Sequence, residues 1–90
     1  MVYRLKVARQ ALKHLEKLPA TQRERLVRAI LALEQDPFPP GKKWRWLQDS
    51  GGPVRLRVGD YRVLYDVLDD EVHVLLVIHR RDLDRHLRRG

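Results

Sequence analysis

The sequence predicts an α+β fold in which two helices pack on one face of an antiparallel sheet. Three observations lead to this prediction. The first residues alternate between polar and apolar side chains, as in a half-buried strand. The apolar spacing then becomes helical, and the second half of the chain contains three strand-like runs separated by turn residues. With 90 residues, the chain is expected to form a single domain, residues 1–90, with a thin two-layer core.

The first half of the chain predicts a strand followed by a helical hairpin. Residues 2–7 (VYRLKV) alternate and form the strand. Apolar residues recur at helical spacing from Ala8 to Leu18, and Pro19 ends this helix and suits the first turn of another. The second helix ends before Asp36-Pro37. Its apolar face is formed by Leu26, Ala29, Ile30 and Leu33.

The second half predicts a three-stranded antiparallel meander and a short C-terminal helix. Residues 37–53 contain four of the five prolines and three of the five glycines, which predicts a long loop. Three strand-like runs follow it: VRLRV, YRVLYDVL and VHVLLVIH. The final run, RRDLDRHLRRG, predicts a short basic helix or tail. The chain order is therefore strand, helical hairpin, meander and helix.

The first hairpin of the meander places arginines on one face. Gly59-Asp60 predicts a two-residue type II′ turn, because glycine supplies the positive φ. Counting back from this turn sets Arg57 opposite Arg62, and directly opposed residues share a face. Arg55 lies on the same side, opposite to the apolar side chains. The sequence therefore predicts an open sheet face that carries three arginines.

The register of the second hairpin follows from a second predicted turn, which is a weaker hairpin signal than Gly-Asp. An Asp69-Asp70 turn pairs Tyr61 with Ile78 when the count runs without interruption. The same register places His79 on the arginine side.

Composition and charge limit the classes of function and of partner that the chain can have. The 19 Lys and Arg residues against 12 Asp and Glu residues give a net charge of +7, which favours a polyanionic partner. There is no cysteine, so disulfide scaffolds and thiolate zinc sites are excluded. The four histidines lack metal-site spacing, so neither a metal nor another cofactor is expected. No signal peptide or membrane-length apolar run is visible, so we expect a cytoplasmic protein without a membrane partner.

The middle of the chain combines cations with aromatic residues. Residues 37–62 hold six basic side chains against two acidic ones. Guanidinium groups bind phosphate oxygens, and an indole can stack on an unpaired base. The alternative is that a tryptophan packs against the sheet edge while the charged residues are only solvated. Together with the C-terminal run, the candidate RNA-binding residues are Lys42, Lys43, Arg45, Trp46, Arg57 and Arg81.

The stretch PVRLRVGDYRVLYDV followed by VHVLLVIHRRD resembles the RelE/ParE superfamily of toxins from toxin–antitoxin systems. ALKHLEKLP and LALEQDP fit the family's helices as well. The resemblance implies a RelE-like fold and a cognate antitoxin with which the chain forms a hetero-oligomer. For the RelE branch it also implies metal-independent cleavage of mRNA on the ribosome, an endoribonuclease activity that inhibits translation.

The resemblance also implies which residues carry that chemistry. The basic functional positions that match are Arg55, Arg62 and Arg80. This chain has Pro53 where some members have a lysine, and the place of the family's tyrosine falls at Asp84 or His86. His86 is therefore the candidate for catalytic acid or base, because imidazole titrates near neutral pH.

Two other functions remain open at this point. A ParE-like protein would inhibit DNA gyrase by binding, without catalysis, and the missing tyrosine favours this reading. A degenerate toxin would only bind its antitoxin and repress its operon. The three matched arginines and the net charge favour the RelE-like nuclease.

Overall fold

The structure, a computed structural model, describes residues 2–41, 43–48 and 51–88. These residues form one five-stranded sheet, in the order β1-β5-β4-β3-β2, and three helices. β1 is parallel to β5, and all other neighbouring strands are antiparallel. The elements are β1 (Arg4–Val7), α1 (Arg9–Glu16), α2 (Ala20–Ala32), β2 (Trp44–Gln48), β3 (Gly51–Val58), β4 (Tyr61–Leu68), β5 (Glu71–His79) and α3 (Arg80–Arg88). The predicted α+β class is confirmed.

The helical hairpin covers one face of the sheet and forms the main core with it. Leu15 of α1 and Leu26 and Ile30 of α2 are buried against this face. The predicted helical spacing is confirmed, and α2 begins directly after Pro19. The sheet contributes mainly valines, whose branched side chains pack well on a pleated surface. These are Val54, Val63, Val72, Val74 and Val77.

The β3–β4 hairpin has the predicted register. Gly59 has a φ of +61°, and Arg57 lies opposite Arg62. Leu56 and Val63 form the next pair and point into the core. The apolar alternation and the glycine turn specify the same register, which explains why the prediction succeeds.

The predicted β4–β5 register is correct near its turn and wrong beyond it. Tyr65 pairs with Val74 as expected, but Leu64 pairs with Leu76. Leu75 is therefore an extra residue on β5, a β-bulge that reverses which face the following residues occupy.

The bulge moves two residues to faces other than those predicted. Tyr61 pairs with His79 instead of Ile78, and the two aromatic rings are 5.3 Å apart. His79 therefore lies on the side of the helical hairpin, whereas Ile78 joins Arg62 on the opposite face. The expectation that His79 lies on the arginine side is wrong.

The predicted loop over residues 37–53 is also too long. Residues 44–48 form β2, and β3 already begins at Gly51. Tryptophan has high β-propensity, and here this propensity outweighs the surrounding proline and glycine signals. Gly52, with a φ of +89°, accommodates a register shift between β2 and β3.

The remaining loop is held against the sheet by side-chain hydrogen bonds. The buried hydroxyl of Tyr65 donates to the carbonyl oxygen of Pro37 at 2.7 Å. The indole Nε1–H of Trp44 donates to the carbonyl oxygen of Pro39 at 3.0 Å. Burial raises the pKa of Tyr65, so its hydroxyl remains protonated and keeps donating.

α3 packs on the other face of the sheet and not beside the helical hairpin. Leu83 contacts Leu64 and Leu76 in a second, smaller core. His79 caps the helix, because its Nδ1 accepts a hydrogen bond from the backbone N–H of Arg81 at 3.1 Å. The face predicted to be open is therefore partly covered, and only its arginine-bearing part remains exposed.

We expect Leu83→Ala to destabilise the domain by about 2–4 kcal/mol, because it empties the centre of the small core. Leu83 is only 1% exposed. Leu68→Ala is the matched control, since Leu68 is 55% exposed and its truncation should change stability by less than about 0.5 kcal/mol. Urea unfolding measures both variants, and equal midpoints would show that α3 does not contribute to the fold.

Candidate functional site

Neighbouring strands bring their arginines to one face of the sheet. Arg45 of β2 lies opposite Arg55 of β3, and Arg57 of β3 lies opposite Arg62 of β4. Opposed like charges destabilise a strand pair, so this arrangement has a free-energy cost. The basic surface extends from β2, β3 and β4 onto α3, and we call all of it the arginine face. It comprises Lys43, Arg45, Arg55, Arg57, Arg62, Arg80 and Arg81.

The arginine face contains two adjoining depressions. The larger, with a volume of about 400 Å³, is the four-arginine groove. The smaller, of about 150 Å³, lies towards β2 and is the basic cleft. Arg55 and Arg62 line both, so the two depressions form one continuous cationic path. The residues lining the four-arginine groove are Arg55, Arg62, Arg80, Arg81, Leu83 and Asp84.

The guanidinium of Arg62 is held in place by the backbone of the hairpin. Its Nη1 donates to the carbonyl oxygen of Gly59 at 3.0 Å and to that of Tyr61 at 2.8 Å. The Nε–H and Nη2–H donors form the other edge of the guanidinium and are suited to two oxygens of a phosphate. A group fixed in this way loses little conformational entropy when it binds a ligand.

The electrostatic environment of Arg62 is strongly positive. Burial of the guanidinium lowers the pKa of Arg62, and like charges nearby lower it further. The side chain still remains charged at neutral pH, because the ordinary pKa of arginine is far higher. An anion placed here therefore relieves the repulsion between several cations at once. The contributing like charges are those of Arg55, Arg57 and Arg80.

The Gly59-Asp60 turn also positions Arg80. The backbone N–H of Arg80 donates to the carbonyl oxygen of Asp60 at 2.8 Å. The Nε of Arg80 lies 3.6 Å from the Asp60 carboxylate, but both side chains are exposed and the pair contributes little stability. One turn thus fixes two arginines that lie far apart in the sequence.

One residue singled out in the sequence lies apart from this cluster. Trp46 lies on the opposite face, packed 5.6 Å from Phe38 and 5.8 Å from Trp44, and is 42% exposed. Lys42 lies outside the described residues, and so does the side chain of His86. The other predicted site residues all line the arginine face.

Asp84 is the site residue that the sequence analysis did not propose as functional. It lines the four-arginine groove and supplies its carboxylate. The sequence contained a signal, since Asp84 occupies one of the two places at which the family's tyrosine falls.

Within residues 2–41, 43–48 and 51–88, no three His, Asp or Glu side chains gather as a metal site would require. Over those ranges, no helix is long and apolar enough to cross a membrane.

Comparison with known proteins shows the same fold. The RelE–RelB complex of Pyrococcus horikoshii contains a chain that superposes with a TM-score of 0.77 at 34% sequence identity. The match covers 89% of this chain and 97% of that one. The five-stranded sheet with its helical hairpin and C-terminal helix therefore defines a RelE-like domain.

Sequence comparison agrees with the fold. The family described as "ParE toxin of type II toxin-antitoxin system, parDE" matches residues 5–84. The mRNA interferase toxin RelE of Escherichia coli is 32% identical over 77 residues, which are 86% of this chain and 80% of that protein. The putative toxin RelE1 of Methanocaldococcus jannaschii is 31% identical over 84 residues, 91% of this chain and 93% of that protein. The chain belongs to the RelE/ParE superfamily of type II toxins.

We expect Arg55→Gln to stabilise the free domain by about 0.3–1 kcal/mol at low salt, because it removes one of several clustered like charges. The gain should shrink as salt screens the charges. Thermal unfolding at two salt concentrations measures it. Arg28→Gln, at an exposed position on α2 away from the arginine face, should give no gain. A destabilised Arg55→Gln would contradict the repulsion.

Proposed function

We propose that the chain is a ribosome-dependent mRNA endoribonuclease that a cognate antitoxin holds inactive in the cytoplasm. The observation that carries this proposal is the four-arginine groove, where four cations and the carboxylate of Asp84 meet. The similarity to the mRNA interferase RelE of Escherichia coli supports the same activity.

The groove suits the chemistry of RNA cleavage by an internal hydroxyl. The ribose 2′-oxygen attacks the adjacent phosphorus, the bond from phosphorus to the 5′-oxygen breaks, and a cyclic phosphate remains. Negative charge on the phosphate rises along the way, and preorganised guanidinium groups stabilise it. Arg62 is the best-placed donor, because two backbone carbonyls fix its orientation.

Two proton transfers accompany this reaction. The 2′-hydroxyl must lose a proton, and the leaving 5′-oxygen must gain one. We assign the first transfer to the carboxylate of Asp84, which is the base that the groove offers. His86, on the same helix, is the candidate for the second transfer, with water as the alternative donor.

The path of the RNA follows the charge of the arginine face. From the four-arginine groove the cationic path continues into the basic cleft, lined by Lys43, Arg45 and Arg57. Flanking phosphates bound there would fix the message without reading its sequence. The antitoxin partner is supported by the solved relative from Pyrococcus horikoshii, which is a RelE–RelB complex.

A second function is favoured by one specific observation. The family that matches residues 5–84 is described as a ParE toxin. The resemblance to ParE implies a protein that inhibits DNA gyrase by binding, without cleaving RNA. In that case the arginine face would bind gyrase, and its arginines would contribute affinity instead of catalysis.

We expect Arg62→Gln and Arg80→Gln each to lower the cleavage rate by about 10²–10³, because each removes one donor to the transition state. The assay maps new 5′ ends on a translated message in a reconstituted translation system. Arg28→Gln is the control for loss of a positive charge elsewhere and should cleave normally. An intact message with wild-type protein, together with gyrase-dependent DNA breaks in cells, would decide for the ParE-like function.

The pH–rate profiles of Asp84→Asn and His86→Ala show which residue carries out each of the two proton transfers. We expect Asp84→Asn to lower the rate by about 10²–10⁴ and to abolish the acidic limb of the pH–rate profile. If His86 is the acid, His86→Ala removes the alkaline limb; if water is the donor, that limb persists. An Asp84→Asn protein with the wild-type rate and pH profile would show that Asp84 is not the base.

A further inference from the structure

A tryptophan side chain lies exposed at one edge of the sheet, and the proposed cleavage does not use it. β2 is the last strand in the order β1-β5-β4-β3-β2, so no other strand of the described chain covers its outer edge. The side chain of Trp46 on this strand is 42% exposed. Every other aromatic side chain that the structure describes is buried or half-buried. Trp46 is therefore an aromatic surface that is open to a ligand.

The indole of Trp46 is held in position by an aromatic cluster that it forms with Phe38 and Trp44. Its ring centroid lies 5.8 Å from that of Trp44, with the two planes nearly perpendicular at 88°. Phe38 is 5.6 Å away on a tilted plane. Such edge-to-face arrangements are the favoured geometry of aromatic pairs. Since the indole is already ordered, a ligand that binds to it does not have to order it first.

Cations alternate with the aromatic residues along the same strand. Successive side chains of a strand point to opposite faces of the sheet, so Arg45 points to the arginine face while Trp44 and Trp46 point to the other. Arg45 lines the basic cleft together with Lys43. Arg45 and Trp46 are consecutive residues, so only the thickness of one edge strand separates the cleft from the exposed indole.

This combination fits a single-stranded nucleic acid. In such complexes a positively charged groove follows the phosphate backbone, and aromatic side chains stack on the bases. The basic cleft is a groove of this kind, and Trp46 is an aromatic ring beside it. An entirely apolar partner fits less well, because it would desolvate the neighbouring Arg45 without neutralising its charge.

We propose that Trp46 is a stacking site for an unpaired RNA base that adjoins the stretch of backbone bound in the basic cleft. The backbone passes from the cleft round the outer edge of β2, and the base lies on the indole. The identity of this ligand rests on the proposed function, since a bound message is what brings a single strand into the cleft. A purine binds here more tightly than a pyrimidine, because its larger ring system stacks more strongly.

The test measures how tightly the full chain binds two fluorescent strands of equal length, using fluorescence anisotropy. One strand is 2′-O-methylated oligoadenylate, and the other has the same backbone without bases. Both carry the same phosphates, so the ratio of their dissociation constants reports the contribution of the bases alone. We expect the wild-type protein to bind the oligoadenylate about fivefold to a hundredfold more tightly.

Two variants at one position assign this ratio to the indole. Trp46→Leu keeps an apolar side chain but removes the flat ring, and it should bring the ratio close to one. Trp46→Phe supplies a smaller ring and should retain part of the preference for the strand with bases. Leu68→Ala is the control for loss of an exposed apolar side chain that lines neither depression, and it should keep the wild-type ratio. Thermal unfolding shows whether each variant is folded.

The salt dependence of binding distinguishes stacking from phosphate contacts. Arg45→Gln should reduce the slope of log affinity against log salt concentration by about 0.7 for one lost phosphate contact. Trp46→Leu should leave this slope unchanged, because an indole carries no charge.

The ratio of the two dissociation constants decides for or against the site. An equal ratio in the wild type and in Trp46→Leu overturns it, and so does a Trp46→Phe protein whose ratio falls as far as that of Trp46→Leu. A wild-type protein that dimerises in sedimentation experiments, with a monomeric Trp46→Leu of unchanged ratio, would instead make the indole a contact between two copies of the chain. Neither strand has the attacking 2′-hydroxyl, so the result is independent of whether the protein cleaves mRNA.

Discussion

The bulge at Leu75 determines how β5 packs on both faces of the sheet. Before it, β5 directs Val72 and Val74 towards the helical hairpin. After it, Leu76 faces the opposite side, where α3 packs. One inserted residue thus gives the last strand two apolar faces and gives the C-terminal helix a surface to pack on. Without that surface, Arg81 and Asp84 of α3 would have no fixed position relative to the arginines of the sheet.

The cationic site is assembled by backbone geometry against electrostatic repulsion. The strands set Arg57 opposite Arg62, and the Gly59-Asp60 turn accepts hydrogen bonds from Arg62 and Arg80. Backbone pairing is cooperative and insensitive to salt, so it can hold like charges together that would otherwise separate. Functional sites often hold side chains in arrangements that lower the stability of the fold, as these opposed arginines do.

The sequence predicts the first hairpin and its arginines because two independent signals agree there, the apolar alternation and the glycine of the turn. It cannot predict the second register in the same way. Residues 75–78 are all aliphatic, so either face could be buried, and only the packing of α3 decides between them. The sequence also fails to predict β2, because the prolines and glycines on both sides of its tryptophans indicate a loop. The one signal for Asp84 is its place where the family's tyrosine falls, and its carboxylate joins the site only through the docking of α3.

The pairing of β1 with β5 joins the first strand of the chain to the last one. During synthesis, β1 leaves the ribosome before the other four strands, and it can pair only after β5 has emerged. Arg80 and Arg81 directly follow β5, so the four-arginine groove is completed only after all five strands have been synthesised. An N-terminal fragment that ends before α3 therefore carries only two of the four arginines that line this groove.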